Sequence, residues 1–208
     1  VIELFHVTKR YEGADRPALD DVNLKIGKGD FCLLTGPSGA GKSTLLRLLF
    51  CAEAATRGQV ILNGKNVARV RRAQVPYLRR NLGVVFQDFK LLPTHTVLEN
   101  VALVLEVQGK PKDEVFERAR KVLKQVGLGH KLYQQAAQLS GGEQQRVAIA
   151  RAFVTDPAVL LCDEPTGNLD RASADKVAAL LLDLHQAQQA ILIVVTHSQP
   201  LASRFSTR

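Results

Sequence analysis

Two hydrophobic patterns alternate along the 208-residue chain, and each predicts a different secondary structure. Short runs that are alternately or continuously apolar, bounded by glycine or polar residues, are typical of strands. They predict strands at 2–7, 22–26, 31–34, 58–64, 83–86, 159–162 and 190–195. Apolar residues spaced three or four positions apart predict helices at 97–107, 112–126 and 172–188. Strands and helices in this order indicate an α/β domain.

A helical block interrupts the strands after Asp88. On the helix predicted at 112–126, apolar residues share one face, and lysine and glutamate occupy the other. A chain of this length can bury a substantial core as one domain. We therefore expect a single domain over 1–208, with an α/β core at about 1–87 and 157–208 and a helical subdomain at about 88–156.

The composition, 46% hydrophobic and 23% charged, is ordinary for a soluble globular protein. The apolar runs are too short to cross a bilayer, and no secretory leader is recognisable at the start. Because the chain contains no methionine, we expect its start to have been processed or trimmed. Cys32, Cys51 and Cys162 form no C-x-x-C pair, which favours buried thiols in a reducing compartment.

The net charge of +8 is compatible with three kinds of surface. It could suit nucleic acid, an anionic membrane surface, or a basic face that meets only water, and the last is the default. Many of the basic residues cluster between Lys65 and Arg80, so the charge forms a local patch. The charge by itself does not select a partner.

A glycine-rich loop between a predicted strand and a helical run is the most specific motif. It fits the phosphate-binding pattern G-x-x-x-x-G-K-[ST] and consists of Gly36, Pro37, Ser38, Gly39, Ala40, Gly41, Lys42, Ser43 and Thr44. Glycines let successive N–H groups turn towards one anion, and the following helix adds the positive end of its dipole. Lys42 can then reach the β- and γ-phosphates, and Ser43 can supply one Mg²⁺ ligand. A glycine-rich turn that merely contains Lys-Ser is the disfavoured alternative.

Polar residues stand at the ends of three other apolar strands. Gln87 ends one, Asp163 and Glu164 end the next, and His197 follows the last. Such positions face the ligand crevice in α/β sheets. One carboxylate there can hold Mg²⁺, and its neighbour can orient or deprotonate a water molecule. For Gln87 and His197 taken alone, a structural role stays open.

A second pair of glycines lies in the segment 139–146, Leu-Ser-Gly-Gly-Glu-Gln-Gln-Arg. Ser140 and Glu143 fit a capping box at the start of a helix. Gly141 and Gly142 weaken a helix start, so they indicate a close approach to the backbone. A second anion site at a helix N-terminus fits this pattern.

Two aromatic or apolar features have open interpretations. The stretch around Tyr11 favours ordinary packing over a platform on which a base stacks. Phe89, Leu91 and Leu92 follow Gln87 and are more apolar than a surface loop needs. An exposed cluster of that kind marks an interface, whereas the alternative is that it packs the helical block onto the core.

Taken in order, these motifs and the segment Asn168-Leu169-Asp170 resemble the ATP-binding domains of ABC transporters. The resemblance covers the whole chain. It implies a P-loop NTPase core of the RecA type, with a small antiparallel β-subdomain and an inserted α-helical subdomain. It also implies ATP hydrolysis, with ATP and Mg²⁺ as cofactors.

The resemblance further implies that two copies pair head to tail around two ATP molecules. Each phosphate loop would face the partner's signature residues, Ser140, Gly141 and Gly142, which would bind the γ-phosphate. The resemblance also implies that Tyr11 stacks on adenine and that Asp170 meets the opposite subunit. Asp163 would support Mg²⁺, and Glu164 would be the general base. Gln87 would sense the metal and the attacking water, and His197 would contact the γ-phosphate.

A narrower resemblance is to the FtsE family of bacterial cell-division ATPases, the partners of the membrane protein FtsX. It rests on the stretches 75–80, 83–92, 96–102 and 105–109. It implies a homodimer on ATP binding, an integral membrane subunit and a place on the cytoplasmic face of the inner membrane. Relatives that release lipoproteins or export macrolides share the Glu-Gln-Gln-Arg and Pro-Thr-Gly-Asn-Leu-Asp stretches, so they stay as alternatives.

The chain departs from the family pattern at two places. Ser198 stands where the family usually has aspartate after the histidine, and one or two further short strands are expected beyond Arg208. The resemblance implies that the region after Gln87 receives a cytoplasmic helix of the membrane subunit.

Two other classes of protein are disfavoured. DNA-acting clamps of this fold separate the phosphate loop from the signature by long coiled coils, whereas Lys42 and Ser140 are 98 positions apart. No nucleic-acid partner is therefore expected. A nucleotide-binding regulator without hydrolysis is disfavoured by Asp163, Glu164 and His197.

Overall fold

The computed structural model describes residues 1–197 and Ala202, so Ser198 lies outside the described residues. Within that part, eight strands form two four-stranded sheets. In chain order they are β1 (Ile2–Lys9), β2 (Leu19–Ile26), β3 (Phe31–Thr35), β4 (Arg57–Leu62), β5 (Lys65–Asn66), β6 (Leu82–Val85), β7 (Val159–Asp163) and β8 (Ile191–Thr196).

One sheet is antiparallel and the other is parallel. The antiparallel sheet has the order β2-β1-β4-β5, and the parallel sheet has the order β3-β8-β7-β6. Strands β7 and β8 are central and almost wholly buried, which accounts for their continuous Val, Leu and Ile content. Parallel strands end at one edge of a sheet, so the loops that follow all four lie near each other.

Six α-helices accompany the sheets in the described residues. They are α1 (Lys42–Leu49), α2 (Val75–Arg79), α3 (Val97–Val107), α4 (Lys112–Gln125), α5 (Gly141–Phe153) and α6 (Arg171–Gln188). Helices α3, α4 and α5 contact one another. None of the described helices is both long and apolar enough to span a bilayer.

The parallel sheet separates two hydrophobic cores. Leu160 and Cys162 of β7 belong to the core that holds α3–α6, whereas Val159 and Leu161 belong to the core that holds α1 and the antiparallel sheet. This division follows from the two-residue period of a strand, which turns successive side chains to opposite faces. Both faces of the sheet are therefore packed, and the loops at its carboxyl edge extend from strands that are held in the two cores.

The predicted α/β architecture is confirmed. The helix predicted at 97–107 has those bounds, and a capping box between Thr96 and Glu99 defines its start. Strands β1 and β2 are longer than predicted, because their pairing continues through two register shifts. The division into a core at about 1–87 and 157–208 and a helical subdomain at about 88–156 stays a prediction, which the mutual packing of α3, α4 and α5 supports.

The expectation for the cysteines is right for one residue and wrong for two. Cys162 is buried, whereas Cys32 and Cys51 are only half-buried. Burial raises the pKa of the Cys162 thiol well above its ordinary value, so that thiol is held neutral. Cys51 follows the end of α1, a position that the apolar neighbours in the sequence did not reveal.

Candidate active site

The phosphate loop runs from the end of β3 to the start of α1. Gly41 is the N-cap of α1 and has a φ of +86°, in the left-handed region that favours glycine. A Cβ atom at Gly41 would lie 2.1 Å from the carbonyl oxygen of Ala18, so the position has no room for a side chain. The Nζ atom of Lys42 donates to the carbonyl oxygens of Gly36 and Pro37, at 2.8 and 2.9 Å. The ammonium group is thereby held across the loop.

The loop is joined to the end of β7 by a hydrogen bond. The Ser43 hydroxyl donates to Oδ1 of Asp163 at 3.3 Å. Burial raises the pKa of the Asp163 carboxyl, and the negative charge of Glu164 raises it further. A cation beside this carboxylate would relieve both effects, because it favours the charged form.

Glu164 occupies a strained position between two strands. Its φ is +48°, in the left-handed region that non-glycine residues rarely adopt. Its N–H donates to the carbonyl oxygen of Val195 at 3.0 Å, which fixes this conformation against β8. Its Oε1 atom accepts the backbone N–H of His197 at 2.8 Å and lies 2.7 Å from Nδ1 of the same residue. Glu164 and His197, both predicted as site residues, are therefore in direct hydrogen-bond contact.

Gln87 is held by Asn168, a residue of a predicted motif whose pairing with Gln87 was not predicted. Its Nε2 atom donates to Oδ1 of Asn168 at 3.1 Å, and Nδ2 of Asn168 donates to the Gln87 carbonyl at 3.0 Å. A Cβ atom at Gly167 would lie 2.8 Å from Nε2 of Gln87, so this glycine leaves room for the amide. The loop after β6 and the loop after β7 are thus fixed to each other.

The signature segment lies at the N-terminus of α5. Ser140 is its N-cap, and the predicted capping box with Glu143 is present. A hydrogen bond from Lys131 and the backbone N–H of Ser140 lower the pKa of the Glu143 carboxyl to about 2. A Cβ atom at Gly142 would lie 3.0 Å from Cβ and Oγ of Ser173, so the backbone of α5 packs closely against α6. The close approach that the glycines indicated is thus made within the chain, and their phosphate-binding role stays a prediction.

The signature also lies beside the loop that joins β7 to α6. A Cβ atom at Gly141 would lie 3.5 Å from Leu169 and 3.9 Å from the carbonyl oxygen of Asn168. Asp170 is the N-cap of α6, where its carboxylate accepts the N–H of Ser173 at 3.0 Å. Asp170 therefore has a role within its own chain, and its predicted contact with an opposite subunit stays a prediction.

Tyr11 lies beside the first turn of α1. Its hydroxyl donates to Oε2 of Glu53 at 2.8 Å and is 3.3 Å from Oγ1 of Thr44. The ammonium group of Lys9 is 5.0 Å from the centroid of the Tyr11 ring. Tyr11 is thus close to the phosphate loop, as an adenine-stacking role requires. Glu53 was not predicted as part of this cluster, although it is the lone acidic residue between Asp30 and Asp88.

The apolar cluster after β6 is partly buried and partly exposed. Phe89 and Leu91 are half-buried, and Leu91 packs against the core, whereas Leu92 is 39% exposed. The guanidinium group of Arg151 donates to the carbonyl oxygens of Phe89 and Lys90 and fixes the turn. Leu91 therefore packs onto the core, as the alternative interpretation holds, whereas an interface role for the exposed Leu92 stays a prediction.

The phosphate loop, Gln87, Asp163, Glu164 and His197 all lie at the carboxyl edge of the parallel sheet. An open cleft of about 740 Å³ lies beside the phosphate loop, and its lining includes Gly36, Pro37, Ser38 and His197. A nucleoside triphosphate is expected there, because loop N–H groups, a lysine and a helix N-terminus converge on one place. The adjacent carboxylate pair suits the hydrolysis of a phosphate bond.

A comparison with known protein families decides the assignment. The family model described as ABC transporter matches residues 19–167. The chain belongs to the ABC transporter family. It is an ATPase of that family, and such ATP-binding cassettes work with a membrane subunit and dimerise.

Named relatives and solved structures agree with this assignment. The "Cell division ATP-binding protein FtsE" of Mycobacterium tuberculosis is 49% identical over 208 residues, covering 100% of this ABC ATPase and 90% of the relative. The "Lipoprotein-releasing system ATP-binding protein LolD" of Alcanivorax borkumensis is 44% identical, covering 98% and 91%. The dimeric cassette MJ0796 bound to ADP and Pi has a TM-score of 0.87 and 38% identity, covering 99% of this chain and 91% of that one.

Asn168 offers a first test of the site geometry. We expect Asn168→Ala to lower kcat about fivefold with little change in KM. The reason is that the variant loses the hydrogen bonds that orient the Gln87 side chain, which contribute about 1 kcal/mol. Steady-state ATP hydrolysis measures both constants. Asn168→Asp keeps the acceptor for Gln87 and should recover part of the rate. An equal rise in KM for both variants would contradict a positioning role.

Proposed function

We propose that the chain binds Mg-ATP at the phosphate loop and hydrolyses it with Glu164 as the general base. The observation that carries this proposal is the position of Glu164, next to Asp163 and in hydrogen-bond contact with His197. Glu164 takes a proton from the attacking water, and His197 contacts the γ-phosphate. Lys42 binds the β- and γ-phosphates, and the loop N–H groups cradle them.

Three residues are proposed to hold the metal: Ser43, Asp163 and Gln87. Their hydroxyl, carboxylate and amide oxygens are the hard ligands that Mg²⁺ prefers. The described residues contain no group of three or more His, Cys, Asp and Glu side chains that could hold a metal on its own. This fits a Mg²⁺ site, because that ion usually combines one or two carboxylates with substrate phosphates. Bound Mg²⁺ would neutralise charge on the phosphates.

We infer that the working form is a head-to-tail homodimer. Ser140, Gly141 and Gly142 would bind the γ-phosphate of the partner's ATP, Asp170 would meet the opposite subunit, and Tyr11 would stack on adenine. The similarity to the dimeric cassette MJ0796 supports this proposal. Within its own chain, Ser140 is hydrogen-bonded to Glu143 of α5.

Ser140→Arg tests the head-to-tail arrangement. We expect this variant to bind ATP as the parent does while losing about 100-fold or more in hydrolysis, because a large cation blocks only the partner's site. Calorimetry measures affinity, and phosphate release measures turnover. A fall in monomer affinity as large as that for a Lys42 variant would contradict the arrangement.

The narrower proposal is a cell-division ATPase that works with an FtsX-like membrane protein on the cytoplasmic face of the plasma membrane. It is supported by the 49% identity to FtsE across the whole of this chain. Its role would be to act on the membrane partner rather than to carry a solute. A lipoprotein-releasing ATPase is the second candidate, supported by 44% identity to LolD. Identification of the membrane protein that co-purifies with the chain distinguishes them.

The loop after β6 is the proposed contact for the membrane subunit. We expect Phe89→Ala with Leu92→Ala, and to a lesser degree Leu92→Ala alone, to reduce capture of that subunit about tenfold. The reason is that Leu92 is an exposed leucine beside the nucleotide loop, and its burial at an interface contributes about 1.5–3 kcal/mol. Pull-down and ATP affinity are measured together.

A matched control separates this contact from general loss of apolar surface. Val107 at the far end of α3 is 75% exposed, so Val107→Ala should leave capture unchanged. Because Asn100 holds Leu92 through hydrogen bonds to its N–H and carbonyl, the loop backbone should survive the change. Normal capture by Leu92→Ala and by the double variant would contradict the proposed contact and would leave Phe89 and Leu92 with a packing role only.

A further inference from the structure

The positive charge of the chain is concentrated in residues 54–87, which we call the basic segment. It contains seven of the 28 Lys and Arg residues and none of the 20 Asp and Glu residues: Arg57, Lys65, Arg69, Arg71, Arg72, Arg79 and Arg80. The rest of the chain has 21 basic and 20 acidic residues, so nearly all of the net +8 resides in this segment. The ATP-binding motifs do not account for this distribution.

Within the basic segment, the stretch between β5 and β6 lies at the surface. Two short 3₁₀ turns, Val67–Arg69 and Arg72–Gln74, lead into α2, and none of these three elements contains a buried residue. The side chains of Arg69, Arg71 and Arg72 are all exposed. The chain therefore exposes three guanidinium groups within four positions of the sequence.

Among the described residues, no acidic side chain forms an ion pair with these guanidinium groups. None of the ion pairs among the described residues includes a basic residue of the segment. Arg79 has a structural task, since it donates to the carbonyl oxygens of Phe50 and Cys51 at the end of α1. Arg79 thereby anchors α2 to the helix that carries the phosphate loop.

Apolar and aromatic groups accompany the charges. Tyr77 is 62% exposed, and the Arg80 guanidinium lies 4.6 Å from the centroid of its ring. A groove of about 510 Å³ beside it is lined by residues that include Lys65, Val70, Tyr77 and Leu78. Tyrosine beside basic residues and apolar surface is typical of a protein face that meets a membrane interface.

Duplex nucleic acid fits this surface less well. Reading a major groove takes an α-helix or a two-stranded ribbon, whereas α2 has only five residues and the preceding turns have three each. The apolar side chains in the lining of the groove, such as Val70 and Leu78, would gain no burial from a phosphate backbone. Anionic phospholipids supply both a charged headgroup and an apolar region, so they match both features.

We propose that the basic segment binds anionic phospholipid headgroups at the membrane surface. The inference rests on the proposed function in one respect, that the ATPase works beside a membrane. Lipid contacts would then hold the protein in addition to its contact with the membrane subunit. Because Arg79 joins α2 to the end of α1, the lipid-bound segment would be fixed directly to the phosphate-loop helix.

Flotation with vesicles tests the proposal. The full chain is mixed with vesicles of phosphatidylcholine containing about 30 mol % phosphatidylglycerol, and in parallel with pure phosphatidylcholine vesicles. We expect binding to the anionic vesicles alone, and release at about 0.5 M NaCl because salt shortens the Debye length. The variant Arg69→Gln with Arg71→Gln and Arg72→Gln should bind about 100-fold more weakly, since each basic residue near the surface contributes about fivefold.

A matched control separates this surface from net charge. Arg120→Gln with Lys121→Gln and Lys124→Gln removes the same charge from exposed positions on α4 and should reduce binding less than about threefold. An equal loss in both variants would overturn the assignment to the basic segment. Binding to duplex DNA in preference to anionic vesicles would overturn the choice of ligand.

ATP hydrolysis and capture of the membrane subunit are measured on the same preparations. Failure to float with anionic vesicles while both of these persist would overturn the lipid inference and leave the proposed function standing. Loss of hydrolysis or of capture by the unmodified chain would contradict the proposed function itself.

Discussion

Replacing Glu164 with Gln is expected to lower the rate of ATP hydrolysis about 100-fold to 10,000-fold while ATP still binds. The amide keeps the shape of the side chain but cannot take a proton from water, and general base catalysis contributes a factor of this size. The hydrogen bond from the His197 N–H should survive, since the amide oxygen can accept it. Single-turnover phosphate release measures the effect.

A carboxylate outside the site provides the control for this change. Glu117 is exposed on α4, so Glu117→Gln should hydrolyse ATP at the parent rate. ATP affinity of the Glu164 variant should stay within about threefold of the parent, because the general base acts mainly in the transition state. A Glu164 variant with the parent rate would show that another residue is the base.

Replacing Lys42 with Ala is expected to weaken ATP binding about 10-fold to 150-fold. The ammonium group lies across the phosphate loop, and charge-assisted hydrogen bonds of this kind contribute about 1.5–3 kcal/mol. Calorimetric titration with Mg-ATP measures the affinity. The loop should keep its shape, because the glycines that set its backbone conformation stay in place.

The control for this change is a lysine on another surface. Lys124→Ala alters an exposed residue of α4 and should leave ATP affinity unchanged. Because hydrolysis needs bound ATP, the Lys42 variant should also lose turnover at low ATP concentration. Equal affinity in the Lys42 variant and the parent would contradict the assignment of residues 36–44 as the phosphate loop.

Local patterns were enough to predict the main elements of the site. The glycine spacing of the phosphate loop and the carboxylates after β7 are contiguous in sequence. Since parallel strands end at one edge of a sheet, the pattern also predicted that Asp163 and His197 would lie near the loop. The start of α3 was predictable because Thr96 and Glu99, three positions apart, fit the local sequence pattern of a capping box.

Long-range pairings were not predictable in the same way. The Gln87–Asn168 hydrogen bonds join residues 81 positions apart, and Tyr11 meets Glu53 across 42 positions. No local periodicity encodes such contacts, since they depend on which loops the folded sheet brings together. The half-buried state of Phe89 has the same origin, because the helical block that covers it is assembled from distant segments.

We infer that ATP is bound between two copies of this chain, and the mass of the Glu164→Gln variant in solution tests this inference. Light scattering after size-exclusion chromatography is measured with saturating Mg-ATP, then with ADP, and then for the variant that also carries Ser140→Arg. We expect twice the chain mass of 22.8 kDa with Mg-ATP alone, and the single-chain mass in the other two cases. A single-chain mass for Glu164→Gln with Mg-ATP, or a dimer that persists with Ser140→Arg, would contradict it.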